Sequence, residues 1–348
     1  MSVRKIGVDP GFGNFKVAAT GPEGPRMVLI PSVVGVGDTE LGLLSLGKLG
    51  HHRRGARPDK VTWNGVSYLA GHNLARYTRP VQRMDFLRFF SGPEFQVLFY
   101  ASAFRLLGGG NHKLALMVGL PVELMANREK AVEILKGMRG WLVGKHRFSV
   151  NGIEMSLEVC EVQVMAQPAG AFFAWGLDDS GKWVRDKEAL MVPVGICDIG
   201  FNTLDLFAVQ GGEVVVRFTG GDTIGIRRAA ELLINSVRGQ YGVELSLYEA
   251  DRLLHERCPR IYTAGREVDL RPLVNQAIET AAAVLLAFIE QKWGNGRQFA
   301  HLLFTGGGAE TLRETLLRHY PHGVVLPNAV MANAVGLARY ALRAFKGI

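Results

Sequence analysis

Two short stretches carry residue types that can do chemistry, at a matching spacing. Residues 5–17 read KIGVDPGFGNFKV and residues 196–207 read ICDIGFNTLDLF, both following the pattern D-x-G-F-x-[NT]. In each, an apolar strand ends at an aspartate, a glycine turn follows and a second strand begins. A carboxylate at a strand tip, beside a turn with free backbone N–H groups, can hold a hydrated cation against a phosphate. Either stretch alone reads equally well as a hairpin using Asp and Gly for turn chemistry. The second copy favours a duplicated half, with Asp9 and Asp198 on opposite walls of one shared site.

Magnesium suits such a pair, because it dehydrates reluctantly and takes carboxylates together with phosphate oxygens. Asp9 and Asp198 are therefore the expected metal-associated acids, acting through water. Gly11, Gly13 and Asn14 on one side, with Gly200, Asn202 and Thr203 on the other, are expected to wrap the β- and γ-phosphates. Glycine lets the backbone come close, and short polar side chains add donors. Lys16 either supplies a cation near the phosphates or is a surface strand lysine.

Gln167 stands just before Pro168, where a strand turns into a helix. Its amide can orient an attacking water, since phosphoryl transfer relies mainly on positioning, or it simply begins the helix. Gly306, Gly307 and Gly308, between an apolar strand and a helix, let a flat base lie on backbone or form a plain turn. The turn Gly220-Gly221-Asp222-Thr223 suits a ribose or phosphate contact through Asp222.

Other chemistries find less support. Residues 140–146, GWLVGKH, approach a P-loop but have three residues between the glycines, and His stands where Ser or Thr should bind magnesium. No G-x-G-x-x-G follows the first strand, which disfavours a dinucleotide fold. The nine histidines show no H-E-x-x-H, and no Ser-His-Asp triad can be assigned.

The chain that positions these residues has 348 residues, 48% hydrophobic and 21% charged, enough for about two domains with a sizeable core. Its net charge is +8, but the basic residues are dispersed. The densest run, HHRRGAR at residues 51–57, lacks interleaved aromatics and reads as a solvated loop or protein contact, so no direct nucleic-acid binding is expected. Three cysteines without C-x-x-C spacing fit a reducing cytosol. The longest apolar run, residues 281–289, is too short to cross a bilayer, and no signal peptide is expected.

Along the chain, hairpins are expected at 61–69 around Asn64-Gly65 and at 148–157 around Asn151-Gly152. Residues 37–52 are rich in Gly and Leu, and 37–85 read as an inserted small subdomain. Helices are expected at 86–107, 128–138 behind an Asn127 cap, from Pro168, 224–238, 247–257 behind the capping box SLYE, 272–293, 310–320 and 332–345. Strands are expected at 114–118, 158–165, 213–218, 301–304 and 324–326, with a polar loop at 178–186 crossing into the second half. Hairpins followed by helices, twice over, predict two α/β domains facing across a cleft.

These motifs together resemble the actin and sugar-kinase superfamily of ATPases, and within it the ParM-type prokaryotic actin-like proteins. The two D-x-G-F stretches resemble the phosphate motifs, LLFTGGGAE (302–310) the adenosine motif, and QPAG (167–170) and ANAVGLARYA (332–341) the connecting helices. RFFSGPEFQVLF, VGLPVEL and GKHRFSVNGIEMSLEVCEVQVMAQPAGAFFAW are similar to this branch in particular.

The resemblance implies an actin-like fold of two similar ribonuclease-H-like α/β domains around a nucleotide cleft. The first would span 1–170 plus 330–348, with 37–85 as its small subdomain, and the second 171–329, with about 239–290 as its small subdomain. It implies ATP (or GTP) with Mg²⁺, hydrolysis assisted by Gln167, Asp9 and Asp198, and homopolymeric filaments in the cytoplasm for plasmid segregation or a related role. A DNA-binding adaptor would then contact the cargo. Small-molecule kinases and chaperone-like or reactivating ATPases of the same superfamily are the alternatives; no further Asp marks a kinase pocket, and the chain is expected to end soon after the second connecting helix.

Overall fold

The computed structural model describes residues 2–37, 57–81, 85–126 and 128–348. The Asn127 cap, nearly all of the Gly- and Leu-rich stretch and the basic run up to Ala56 lie outside the described residues.

The first half opens with β1 (Val3–Pro10), β2 (Asn14–Ala19), β3 (Arg26–Pro31), β4 (Val34–Val36), β5 (Asp59–Trp63) and β6 (Val66–Ala70). Helices α1 (Phe86–Ser91) and α2 (Pro93–Leu107) follow, then β7 (Gly110–Leu120), α3 (Val122–Ala126), α4 (Arg128–Leu142), β8 (Gly144–Val150), β9 (Ile153–Ala166) and α5 (Gln167–Gly176). The second half contains α6 (Glu188–Met191), β10 (Val194–Ile199), β11 (Leu204–Gln210), β12 (Glu213–Val214), β13 (Gly220–Asp222), α7 (Arg227–Tyr241) and α8 (Leu247–Leu254). It continues with β14 (Arg260–Thr263), β15 (Arg266–Asp269), α9 (Arg271–Trp293), β16 (His301–Thr305), α10 (Gly307–Thr311), α11 (Arg313–His319), β17 (Gly323–Val325) and α12 (Ala332–Ala344).

The duplication expected from the two aspartate hairpins extends to the sheets. One sheet runs β3-β2-β1-β7-β9 and on through β8, β5, β6 and β4; the other runs β12-β11-β10-β16-β17. In both, an antiparallel hairpin (β1–β2, β10–β11) lies beside a parallel strand (β7, β16), with a second parallel strand beyond it (β9, β17). The apolar runs of β1, β7 and β10 are buried, as expected of strands covered on both faces.

Several boundaries differ from expectation for local reasons. Gly92-Pro93 divides the helical stretch 86–107, because proline cannot donate to the preceding turn and instead begins a new helix. Residues 213–218 form only a two-residue strand and then a short 3₁₀ turn. The helix expected from 224 begins at Arg227, after residues that pair back to the Gly200 turn (Ile226 N–H to Gly200 O, 3.2 Å). α9 is longer than its apolar run suggests, and by length (23 residues) and composition alone it could cross a membrane. Here its buried face, including Val274, Leu285, Ile289 and Trp293, packs into the core of the second half.

Helices α5 and α12 exchange partners between the halves. α5 leaves the first sheet through Ala166, yet Ala171 and Phe172 pack with Val194, Ile196 and Phe207 of the second. α12 enters from the second half, yet Leu337 and Ala341 pack with Ala115 and Met117 of the first. The two helices cross at Gly170 and Gly336, where an added Cβ on Gly336 would lie 1.7 Å from the Gly170 carbonyl oxygen. Backbone cannot yield there as a flexible side chain can. Gly336→Ala is therefore expected to destabilise the chain by roughly 3 kcal/mol, read as a lower urea midpoint at constant m-value.

Candidate functional site

Asp9 and Asp198 come together in a cleft lined from both halves. Each occupies the next-to-last place of its strand: Asp9 pairs with Lys16 across the first hairpin, and Asp198 with Asp205 across the second. Lys16 and Asp205 are thus equivalent positions in the duplicated hairpin, one basic and the other acidic.

That difference shapes the electrostatics. The Lys16 ammonium lies 2.8 Å from Asp9 Oδ2, with 12% of the lysine side chain and 1% of the aspartate exposed. Burial works against the ammonium, but the Asp9 and Asp198 carboxylates outweigh it and hold its pKa above the usual lysine value. Asp198 has no such partner. Burial and then the Asp9 charge push its carboxyl up to about 6, only partly offset by Lys16 and Asn333. Asp205 is raised well above the carboxylate range by burial and by Asp198. Its Oδ1 accepts the Val122 N–H at 2.9 Å, tying the start of α3 to the second sheet.

Two amides hold the two carboxylates. Gln167 Nε2, at the start of α5, donates to Asp9 Oδ1 at 2.8 Å. Asn333 Nδ2, in the first turn of α12, donates to Asp198 Oδ2 at 2.6 Å.

The turns themselves are tightly built. Ser32 Oγ donates to the Gly11 carbonyl (2.5 Å), and Ser32 N–H to the Gly13 carbonyl (2.9 Å). Gly200 N–H closes the second turn on Thr203 O (2.8 Å), and Arg227 Nη1 donates to Asn202 Oδ1 (3.2 Å). The two hairpins abut: a Cβ on Gly13 would lie 2.7 Å from Phe201 Cβ. Phe12, the matching aromatic of the first motif, instead points into the core against Phe89.

Of the residues singled out by sequence, Asp9, Gly11, Gly13, Asn14, Lys16, Gln167, Asp198, Gly200, Asn202, Thr203, Gly307 and Gly308 line this cleft. Gly306 lies behind it, against Ile199 and Asp198. Asp222 does not belong to it. Gly220–Asp222 pairs as a strand onto β11, leaving Asp222 exposed, and the neighbouring Thr223 donates to Glu123. Sequence reasoning passed over three residues that line the cleft, Asn333, Asp251 of α8 and His255 just after that helix, and over Asp205 behind them. The His255 ring bridges the Asp251 carbonyl (2.8 Å) and the Thr311 hydroxyl (3.2 Å) beside the glycine turn. The signal available for Asn333 was its spacing: N-x-x-G at 333–336 repeats Q-x-x-G at 167–170.

Among the described residues, no three His, Cys, Asp or Glu side chains are grouped to ligate a metal directly. Two carboxylates with one ammonium, and the buried Asn333 Oδ1, unpaired among the described residues, fit a cation that keeps its own water shell, while the Asn202 Nδ2 donor, likewise unpaired among them, suits a phosphate oxygen.

The family model for the N-terminal domain of actin-like proteins matches residues 7–170, and that for the C-terminal region of MreB-like archaeal actin homologues matches residues 196–318. Two such halves around a shared cleft define an actin-like ATPase fold. The chain belongs to the actin-like proteins, the two matches together spanning most of its length. No curated protein sequence matches it. Among solved structures, it is similar to a 15-stranded ParM filament from Clostridium botulinum (19% identity, TM-score 0.76, covering 99% of this chain and 100% of that one). It is also similar to Ta0583, an archaeal actin homologue, in complex with ADP (17%, 0.73, 98% and 100%). A third similar structure is Bacillus thuringiensis ParM with ATP (12%, 0.68, 99% and 99%).

The raised Asp198 carboxyl has a consequence for stability. In the folded chain it takes up a proton near pH 6, but in the unfolded chain only near about 4. Between those values the folded state binds more protons, so this group's contribution to stability increases as pH falls from 7 towards 4. Asp198→Asn is expected to raise stability at pH 7 by about 2 kcal/mol and to remove this group's share of the acid-side gain, measured by urea unfolding across pH 4–7.

Proposed function

We propose that the chain binds ATP, or GTP, with Mg²⁺ in this cleft, hydrolyses it, and assembles head to tail into filaments that open and close with the nucleotide cycle. The observation that carries this is the meeting of Asp9 and Asp198, one from each half, in a single cleft, each held by an amide from one of the two crossing helices.

The Gly11–Asn14 and Gly200–Thr203 turns supply backbone and side-chain donors to the β- and γ-phosphates, and Lys16 offsets their charge while remaining paired with Asp9. Gly307 and Gly308 take the base, and the Asp251 carboxylate, nearby on α8, accepts from the ribose hydroxyls. Asp9 and Asp198 would hold Mg²⁺ through water, and the cation would supply positive charge to offset the phosphate oxygens. Gln167 spends its amide N–H on Asp9, so its carbonyl oxygen is left to accept from the attacking water and orient it.

A triphosphate gripped by both turns favours one angle between the halves, and loss of the γ-phosphate releases it. On this scheme residues 1–170 with 330–348 move against residues 171–329, the latter carrying 239–290 as its smaller part and the former 37–85. A fixed angle presents complementary faces to the next copy, giving an open helical polymer. The role is cytoplasmic, in plasmid or DNA segregation or a related cytoskeletal task, with a separate adaptor contacting DNA.

Light scattering on adding ATP and Mg²⁺, followed by electron microscopy, is expected to show filaments; no rise in scattering and no filaments would overturn assembly. Asp198→Ala is expected to lower phosphate release at least 100-fold, on the order of losing a group that positions the transferring phosphoryl. Gln167→Ala is expected to slow hydrolysis by a similar order while nucleotide affinity and assembly persist. Loss of affinity with Gln167→Ala would assign that residue to structure.

A further inference from the structure

We infer that Asn333 is the positioning residue for Asp198, the second-half counterpart of Gln167, and that it couples helix α12 to cation-assisted nucleotide binding. This rests on the nucleotide-binding reading of the cleft.

Three observations carry it. First, the hydrogen bond itself is short, buried and charge-assisted: Asn333 Nδ2 to Asp198 Oδ2 at 2.6 Å, with 3% of Asn333 and 6% of Asp198 exposed. A carboxylate only accepts, so the amide nitrogen must face Asp198 and the amide oxygen faces away from it. That oxygen is buried and has no partner among the described residues, while Asn333 lines the cleft. A buried acceptor of this kind is suited to a water in the shell of a cation held by the neighbouring carboxylate.

Second, the arrangement is duplicated. Gln167 and Asn333 each stand three residues before the glycine of the helix crossing, Gly170 and Gly336. Each donates to the hairpin aspartate of one half, Asp9 or Asp198.

Third, Asn333 is held by backbone. A Cβ on Gly170 would lie 2.4 Å from the Asn333 carbonyl oxygen and 2.8 Å from its Cα, so the residue sits in the crossing itself. Rotation of α12 against α5 therefore moves the donor that orients Asp198, and a cation that orders Asp198 resists that rotation.

The test is a double-mutant cycle on binding of a fluorescent ATP analogue, measured with Mg²⁺ and with EDTA. Asn333→Ala and Asn333→Leu, the second keeping the side-chain volume, are expected to weaken binding with Mg²⁺ by roughly tenfold, leaving affinity in EDTA within about twofold. In an Asp198→Ala background the further substitution Asn333→Ala is expected to cost less than about twofold. Far-UV circular dichroism and the urea midpoint of each variant establish that it is folded. Retained affinity in Asn333→Leu, equal losses with and without Mg²⁺, or equal losses in both backgrounds would overturn the inference. A wild-type chain that binds no nucleotide would overturn the reading of the cleft itself, and a loss confined to the variants would not.

Discussion

The backbone crossing of α5 and α12 sets the geometry of everything around the cleft. Two helices approach closely enough for carbonyl and Cα to touch only where neither carries a side chain, and Gly170 and Gly336 meet that requirement. Residues three apart lie on the same helix face, so Gln167 and Asn333 are brought to the crossing by the same glycines that permit it. Their amides in turn hold Asp9 and Asp198. Packing, rather than the turns alone, therefore decides where the two carboxylates stand. Since each helix packs on the half opposite to the one it leaves, the crossing ties the two halves together.

The same cleft concentrates unfavourable charge. Asp9 and Asp198 line it, Asp205 is buried across the hairpin from Asp198, and Lys16 is the one lysine or arginine among the described residues lining the cleft. Burial of ionised carboxylates without matching partners is costly, and the raised Asp198 and Asp205 carboxyls express that cost. A core built for stability alone would place apolar or paired groups there. Strained groups of this kind, gathered where two halves meet, mark a candidate functional site.

Much of this was legible in the chain before its fold. The hairpins and their aspartates stood out because strand, turn and strand are local in sequence, and a repeated D-x-G-F made coincidence a poor explanation. Lys16 and Gln167 were legible for the same reason, being attached to those elements. Asp222 misled because a Gly-Gly-Asp turn and a short edge strand look alike until the partner strand β11 is known. The break at Gly92-Pro93 was written in the sequence but hidden by the apolar periodicity on either side of it. Asp205, Asp251 and Asn333 acquire meaning only through contacts with distant residues, such as Val122 for Asp205 and Asp198 for Asn333. The N-x-x-G echo of Q-x-x-G is the exception, a local trace of a long-range arrangement.

Duplication also exposes where the halves have diverged. Register makes Lys16 and Asp205 equivalent, and Phe12 and Phe201 equivalent by motif. The first hairpin neutralises its aspartate with Lys16 and sinks its phenylalanine into the core. The second places another acid opposite its aspartate and sets its phenylalanine against Gly13 of the facing turn. One wall is thus electrostatically complete by itself, and the other is not. On the proposed reading of the cleft, the incomplete wall is the one whose charge balance a bound cation would alter.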